Sequence, residues 1–337
     1  MSLLYRIVKN KWVPPADPET LSFAGKTIVV TGSNVGLGAE AAHKFAAQKA
    51  ARLILGVRNE EKGAKVQKIV QHIAADPECK VDVWKLDMMD YSSIKAFAQR
   101  CNDELERLDI AVLNAGVYNA AYQQSQYGFE ATLQVNTLST ALLSLLLLPK
   151  LQASKTTEST PVLEFTNSGR HYAATLSDEQ KDDDNVNILS SLNHEDGYAG
   201  GKLYGTSKLF LMCFARTLAA RLQPDPAQPP SIYVISVCPG ASQSELSRDM
   251  DSVPLQIAKF YANMLFLRTA EQGSRTLVSG TAQGEQGHGA FWQNDVIREP
   301  APLLKGEAGE KLVKKMFGQI VSALRKDVPE VESMLPH

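Results

Sequence analysis

From about residue 26 to residue 292 the chain alternates short, continuous apolar runs with longer stretches in which apolar positions recur every three or four residues. Runs of four to six apolar residues mark strands buried on both faces, and the periodic stretches mark helices laid over them. This pattern predicts strands at 26–31, 52–57, 81–86, 110–113, 162–166, 232–237 and 290–292. Helices are predicted over 39–50, 59–74, 91–107, 129–151 and a stretch that runs to about Leu222. Regular alternation of strand and helix implies an α/β fold, a doubly wound parallel sheet with helices on both faces. Residues 24–292 form one such domain, with an N-terminal extension over 1–23 and a partly helical C-terminal extension over 293–337. The proline-rich stretch 223–230 is a loop rather than a linker between domains, and no internal repeat is present.

Composition narrows the picture without changing it. A 337-residue chain that is 44% hydrophobic has ample material for one large core. Its 35 basic and 37 acidic residues leave a net charge of −2 with no dense basic run, which argues against a nucleic-acid partner. Cys79, Cys101, Cys213 and Cys238 match neither a disulfide framework nor a C-x-x-C metal spacing, so a reducing, cytoplasmic setting is expected. The six histidines are equally scattered, and no metal site is expected. Residues 1–24 lack the apolar core of a signal peptide. The longest apolar run, 138–148, is broken by serine and threonine, and is expected to be a buried or dimer-facing helix rather than an integral membrane segment. A homodimer and peripheral membrane association both remain open.

Two local patterns carry chemistry. After the first strand comes Gly32-Ser33-Asn34-Val35-Gly36-Leu37-Gly38, followed by an alanine-rich helix. Strand, glycine turn and helix in this order make a Rossmann-type dinucleotide-phosphate site. Gly32 permits the turn, Gly36 lets backbone N–H groups approach pyrophosphate, and Gly38 lets the helix pack closely, its positive end toward the phosphates. Further on, Tyr204-Gly205-Thr206-Ser207-Lys208 sets a phenol and an ammonium one turn apart on one helix face. A cation beside a phenol favours its ionised form, and so moves a group of pKa near 10 toward working pH. Half-buried tyrosines and solvated lysines also occur at this spacing, so the pair gains meaning only beside the upstream cofactor site.

Taken in order, these residues resemble the short-chain dehydrogenase/reductase family in its classical form over about 24–292. The Thr31-Gly32-x-x-x-Gly36-x-Gly38 turn is similar to that family's nucleotide loop, with Asn34, Val35 and Leu37 as its intervening cofactor-contacting residues. Asp87 and Met88 follow the third strand, Asn114-Ala115-Gly116 the fourth, Ser168 the fifth, and Pro239-Gly240 the sixth. Asn136 lies in the intervening helix and Tyr204 and Lys208 form Y-x-x-x-K. The resemblance implies that Tyr204 protonates a carbonyl oxygen as hydride arrives from nicotinamide. Lys208 would hold the nicotinamide ribose and lower the Tyr204 pKa, Ser168 would bond the substrate oxygen, and Asn136 would hold a water. Read without the resemblance, Ser168 is a turn residue and Asn136 bonds a helix carbonyl.

Two features depart from the compact family pattern. A polar segment, 170–203, separates Ser168 from Tyr204 and is either a lid or a solvated loop. After Pro239-Gly240, Ser244 stands where the family often has a nucleotide-contacting threonine. Cofactor choice turns on the end of the second strand, where Gly56-Val57-Arg58-Asn59 offers no carboxylate for ribose hydroxyls. Arg58 instead presents a fork suited to a 2′-phosphate, which favours NADP(H). The runs 53–63 and 268–274 are similar to the retinol-dehydrogenase-like branch, fungal ketoreductases included, and imply a small lipophilic ketone, aldehyde or alcohol as substrate. Residues 255–267 either line an apolar pocket with Ile257, Phe260, Tyr261, Met264 and Phe266 or pack as a core helix. The expected activity is NADPH-dependent carbonyl reduction or its reverse. A non-redox cyclase or isomerase on a reductase scaffold, and a nucleotide-sensing protein without turnover, are the alternatives.

Overall fold

The structure, a computed structural model, describes residues 11–243 and 267–336. Its centre is an eight-stranded sheet built from β1 (Thr27–Thr31), β2 (Arg52–Val57), β3 (Lys80–Lys85), β4 (Ile110–Leu113), β5 (Val162–Thr166), β6 (Tyr233–Cys238), β7 (Phe291–Gln293) and β8 (Val296–Arg298). Strand order is β3-β2-β1-β4-β5-β6-β7-β8, parallel through β7, with β8 antiparallel at the edge. β1 pairs with both β2 and β4, Ile28 standing opposite Leu53 on one side and Ile110 on the other. Strand order therefore reverses beside β1, and in such sheets a crevice opens there at the carboxyl ends.

The helices are α1 (Gly36–Ala47), α2 (Glu60–Ile73), α3 (Tyr91–Glu104), α4 (Ala131–Ala153), α5 (Gly200–Leu222), α6 (Ala270–Gly280) and α7 (Gly306–Arg325). Side chains alternate across a strand, so each strand feeds two cores. Ile28 and Val30 enter one core with Phe45, Leu53 and Leu277, while Val29 enters the other with Leu142, Phe165, Phe210 and Phe214. The first core lies under α1, α2 and α6, and the second under α3, α4 and α5. This is the Rossmann-type α/β fold that the pattern predicted.

Helix α4 carries the apolar run 138–148. It is long and apolar enough to cross a membrane, yet 94% of its most apolar window is buried inside this chain, which makes it a core helix rather than a dimer-facing one. The C-terminal extension contributes α7, whose Leu312, Met316, Phe317, Ile320 and Leu324 are buried against the same core. Phe317 stacks on Phe214 of α5 with ring centroids 5.3 Å apart. Strand β8 is exposed throughout and is not predicted by the apolar pattern. It is reached through Asn294 and Asp295 at φ +54° and +56°, the two-residue turn that joins antiparallel strands with the sheet's own twist.

The inserted segment contains two short helices, Asp178–Asp182 and Ile188–Ser191. Ile188 and Leu189 are buried, and Gln319 of α7 holds the backbone on either side: it accepts from Ile188 N and donates to the Val186 carbonyl, both at 2.9 Å. Lys315 adds a bond to the Gln180 carbonyl at 2.9 Å. On its other side Asn193 accepts from Glu130 N at 2.6 Å. The segment is thus fastened at both flanks, neither a freely solvated loop nor a flap on a single hinge.

Glu164 occupies the middle of β5, completely buried, with neither carboxylate oxygen bonded. Desolvation raises its pKa well above the ordinary carboxylate range. An unfolded glutamate releases its proton near pH 4.3, whereas the folded chain retains it, so stability is lost as pH climbs above that value. Glu164→Gln removes this dependence. The variant's melting temperature is expected to fall less than the wild type's between pH 4 and pH 8; parallel curves would refute this.

Candidate active site

The crevice beside β1 is a cleft of about 560 Å³. Its floor is the glycine turn. Gly32 and Gly36 adopt φ +65° and +58°, the left-handed region that glycine enters without strain. Space beside Gly36 is open, whereas a Cβ on Gly38 would stand 2.5 Å from the Gly32 carbonyl oxygen. Gly36 therefore leaves the loop accessible, and Gly38 seats α1 against it. Asn114 ties down the strand end by donating to the Thr31 carbonyl at 3.0 Å, while Ala115 N bonds Thr31 Oγ1 at 2.9 Å. Asn34, Val35, Leu37, Asp87, Met88 and Gly116 line the same cleft. The Ser33 hydroxyl is buried in this turn without a partner. An open cradle of backbone N–H groups at a helix N-terminus, with an unsatisfied hydroxyl inside it, suits a dinucleotide's phosphates.

At the β2 end of the cleft Arg58 and Asn59 are exposed on its wall. Asn59 caps α2 by accepting from Lys62 N at 2.9 Å. That first turn also brings Lys62 to the wall, a second cation four positions along from Arg58.

At the other end α5 brings Tyr204 against Tyr118 and Lys208 close behind Gly116, two residues that line the cleft. Its glycine-rich start lets neighbouring backbone lie directly on it: a Cβ on Gly205 would stand 3.0 Å from the Arg170 carbonyl, and one on Gly200 would collide with the Asn119 carbonyl. Ser168 thereby comes against Tyr204. Lys208 is buried and donates to the Thr166 carbonyl at 2.8 Å, leaving two N–H donors for other partners. Asn136 sits in a π-helical turn, Gln134–Ser139, of α4. Its amide clamps the β4 loop, accepting from Val117 N and donating to the Val117 carbonyl, both at 2.9 Å, and donates to Ser207 Oγ at 3.2 Å. Asn136 and Lys208 meet behind Gly116, where a Cβ would stand 3.1 Å from Asn136 Oδ1 and 3.7 Å from Lys208 Nζ.

Burial sets the electrostatics. It pushes the Tyr204 phenol up to about 12, against the opposing pull of the Ser168 hydroxyl and the Arg170 charge. Burial pulls Lys208 down to about 8. Tyr204 therefore keeps its proton at neutral pH, as a proton donor must. The Lys208 ammonium stands 5.9 Å from the centroid of the phenol ring.

Several groups that shape this end were missed in the sequence. His171 Nδ1 lies 2.7 Å from the Ser168 carbonyl, which can only accept, so Nδ1 carries the ring proton. Cys238 Sγ accepts from Gly169 N at 3.1 Å and Gly240 N at 3.4 Å, joining the Ser168 turn to the Pro239–Gly240 loop. Arg268 Nη1 donates to the Pro239 carbonyl at 3.4 Å and to Asn294 Oδ1 at 2.7 Å. Glu130 caps α4 through Thr132 N at 2.6 Å and receives the Tyr198 hydroxyl at 3.0 Å. Ser244 and all of 255–267 except Leu267 lie outside the described residues. Among the described residues no group of three or more His, Cys, Asp or Glu is placed to hold a metal ion.

A family model described as short chain dehydrogenase matches residues 26–159. The chain is 39% identical over 323 residues to the short-chain dehydrogenase/reductase ffsI of Aspergillus flavipes, spanning 96% of this chain and 92% of that protein. It is 38% identical to the short-chain dehydrogenase/reductase phmF of Phaeosphaeria nodorum, over 96% of this chain and 93% of that one. Its fold is similar to that of a short-chain dehydrogenase from Sphingobium yanoikuyae solved in complex with NADPH. The TM-score is 0.57 at 19% identity, covering 80% of this chain and 87% of the other. With the glycine turn, the cleft and the Tyr204–Lys208 helix in one place, and relatives aligned along nearly its whole length, the chain belongs to the short-chain dehydrogenase/reductase family.

Proposed function

We propose that this nicotinamide-dependent oxidoreductase uses NADPH to reduce a lipophilic ketone or aldehyde to the alcohol. The observation that carries the proposal is the protonated Tyr204 phenol set against Ser168, one helical turn from Lys208, which lies behind the cleft residue Gly116. The cofactor supplies hydride to the carbonyl carbon. Tyr204 gives its proton to the carbonyl oxygen as charge develops there, and the Ser168 hydroxyl donates to the same oxygen. Lys208, with two donors to spare, would hold the nicotinamide ribose. Asn136 keeps the Val117 backbone and Ser207 in place around them.

Support for NADPH comes from the adenosine end, where Arg58 and Lys62 face the cleft and the β2 terminus offers no carboxylate. The NADPH held by the Sphingobium protein of similar fold agrees with this. Met89, Val117, Ala131 and Val135 give the cleft an apolar side that suits a lipophilic substrate. All four cysteines are free thiols, in keeping with the proposed cytoplasmic setting. Loss of NADPH absorbance with a panel of aryl and alkyl ketones tests the reading. Consumption with at least one is expected, and binding without consumption across the panel would favour a non-redox or sensing role.

A further inference from the structure

Two side chains that do not themselves carry the transferred proton converge beside Tyr204. Arg170 follows Ser168 by two positions, is exposed, and reaches over the first turn of α5 to donate from Nη2 to the Gly201 carbonyl at 3.4 Å. Tyr118 arrives from the loop after β4 and lines the cleft, its ring edge-on to Tyr204 with centroids 5.8 Å apart. Gly201 lets them meet. A Cβ at that position would stand 3.3 Å from Arg170 Nη2 and 3.6 Å from Tyr118 Oη.

Both groups keep donors to spare. Arg52, Arg100, Arg107, Arg216 and Arg275 all rest against carboxylates. Among the described residues Arg170 has no such partner, and no protein acceptor is bonded to the Tyr118 hydroxyl. Guanidinium never gives up its proton and offers only donors, and a phenol O–H beside it adds one more. A neutral carbonyl needs no second cation there, whereas a negatively charged oxygen does.

We propose that Tyr118 and Arg170 bind an anionic oxygen of the substrate, so that the compound reduced at Tyr204 is a lipophilic keto acid. The proposal rests on the reductase reading and specifies its substrate class. The carboxylate seats between the two donors over Gly201, and this fixes which carbonyl of a larger molecule faces the phenol.

Three aryl keto acids that differ in the reach from ketone to carboxylate test it: phenylglyoxylate, 4-oxo-4-phenylbutanoate and 5-oxo-5-phenylpentanoate, each beside its methyl ester. Wild-type protein is expected to prefer at least one acid over its ester. Arg170→Leu should lower kcat/KM for that acid about 10- to 150-fold, the range of one charged hydrogen bond, while the ester loses far less. Tyr118→Phe should cause a smaller selective loss, and Arg170→Lys should recover part of the preference. Equal losses for acid and ester, or no acid preference in any pair, would overturn the proposal. Calorimetric titration of the acids into the same proteins separates this from the reductase reading. If no acid or ester consumes NADPH, reduction falls as the reading, yet acid binding that Arg170→Leu abolishes still upholds the anion site. Acids that bind both proteins alike, or neither, dispose of it.

Discussion

Tyr204→Phe is expected to slow carbonyl reduction about 10²- to 10⁴-fold, the usual contribution of a positioned general acid. The change removes one oxygen and keeps the ring. Edge contact with Tyr118 and the 5.9 Å approach of the Lys208 ammonium both depend on that ring, so α5 and the cleft should keep their shape. NADPH affinity should therefore stay within a few-fold of wild type while kcat collapses, because the lost interaction matters only where charge builds on the substrate oxygen. The Ser168 hydroxyl cannot take over the role, since its proton is far less acidic than a phenol's. Single-turnover reduction and cofactor titration on the one variant decide the matter. Turnover near the wild-type rate would remove Tyr204 from the chemistry.

The second large effect concerns the other end of the cleft. Arg58→Ala should weaken NADPH about 10- to 150-fold, the value of roughly 1.5 to 3 kcal/mol for a charged hydrogen bond, and should leave NADH nearly unaffected. Arg58 is exposed, and the bond its carbonyl accepts from Lys85 Nζ at 2.6 Å uses backbone that alanine retains. Structural damage is therefore a poor explanation for a selective loss. Lys62 nearby should keep part of the preference, so Arg58→Ala together with Lys62→Ala should weaken NADPH more than either change alone. A salt titration adds a check, because exposed charge pairs are screened within about 10 Å at 0.1 M salt. Should NADPH and NADH weaken equally, Arg58 has no role in choosing between them.

The strands were legible because a strand buried on both faces is predominantly apolar, as 53–57 is, and as 162–166 is apart from Glu164 and the terminal Thr166. Where boundaries moved, pairing moved them. β3 starts at Lys80 because that residue stands opposite Arg52, although its side chain is polar and exposed. β8 is exposed along its whole length and carries no burial signal at all. The glycine turn and Y-x-x-x-K could be found because each is local, fixed by spacing along a few residues. Arg170 and Tyr118 could not be found that way. Their meeting depends on a missing side chain at Gly201, on a third segment, and nothing in the sequence near any of the three announces the other two. Glu130 and Tyr198 are likewise 68 positions apart.

The fastening of the inserted segment by Gln319 also bears on the order in which the protein is made. Ile188 must wait 131 residues for the side chain that receives its N–H. Strands β1, β2 and β4, which shape the dinucleotide crevice, all leave the ribosome long before α7. Chains fold as they emerge, the N-terminal part first. A nascent chain can therefore assemble the crevice beside β1 while the inserted segment is still unsupported, and that segment is fastened only with the final long helix.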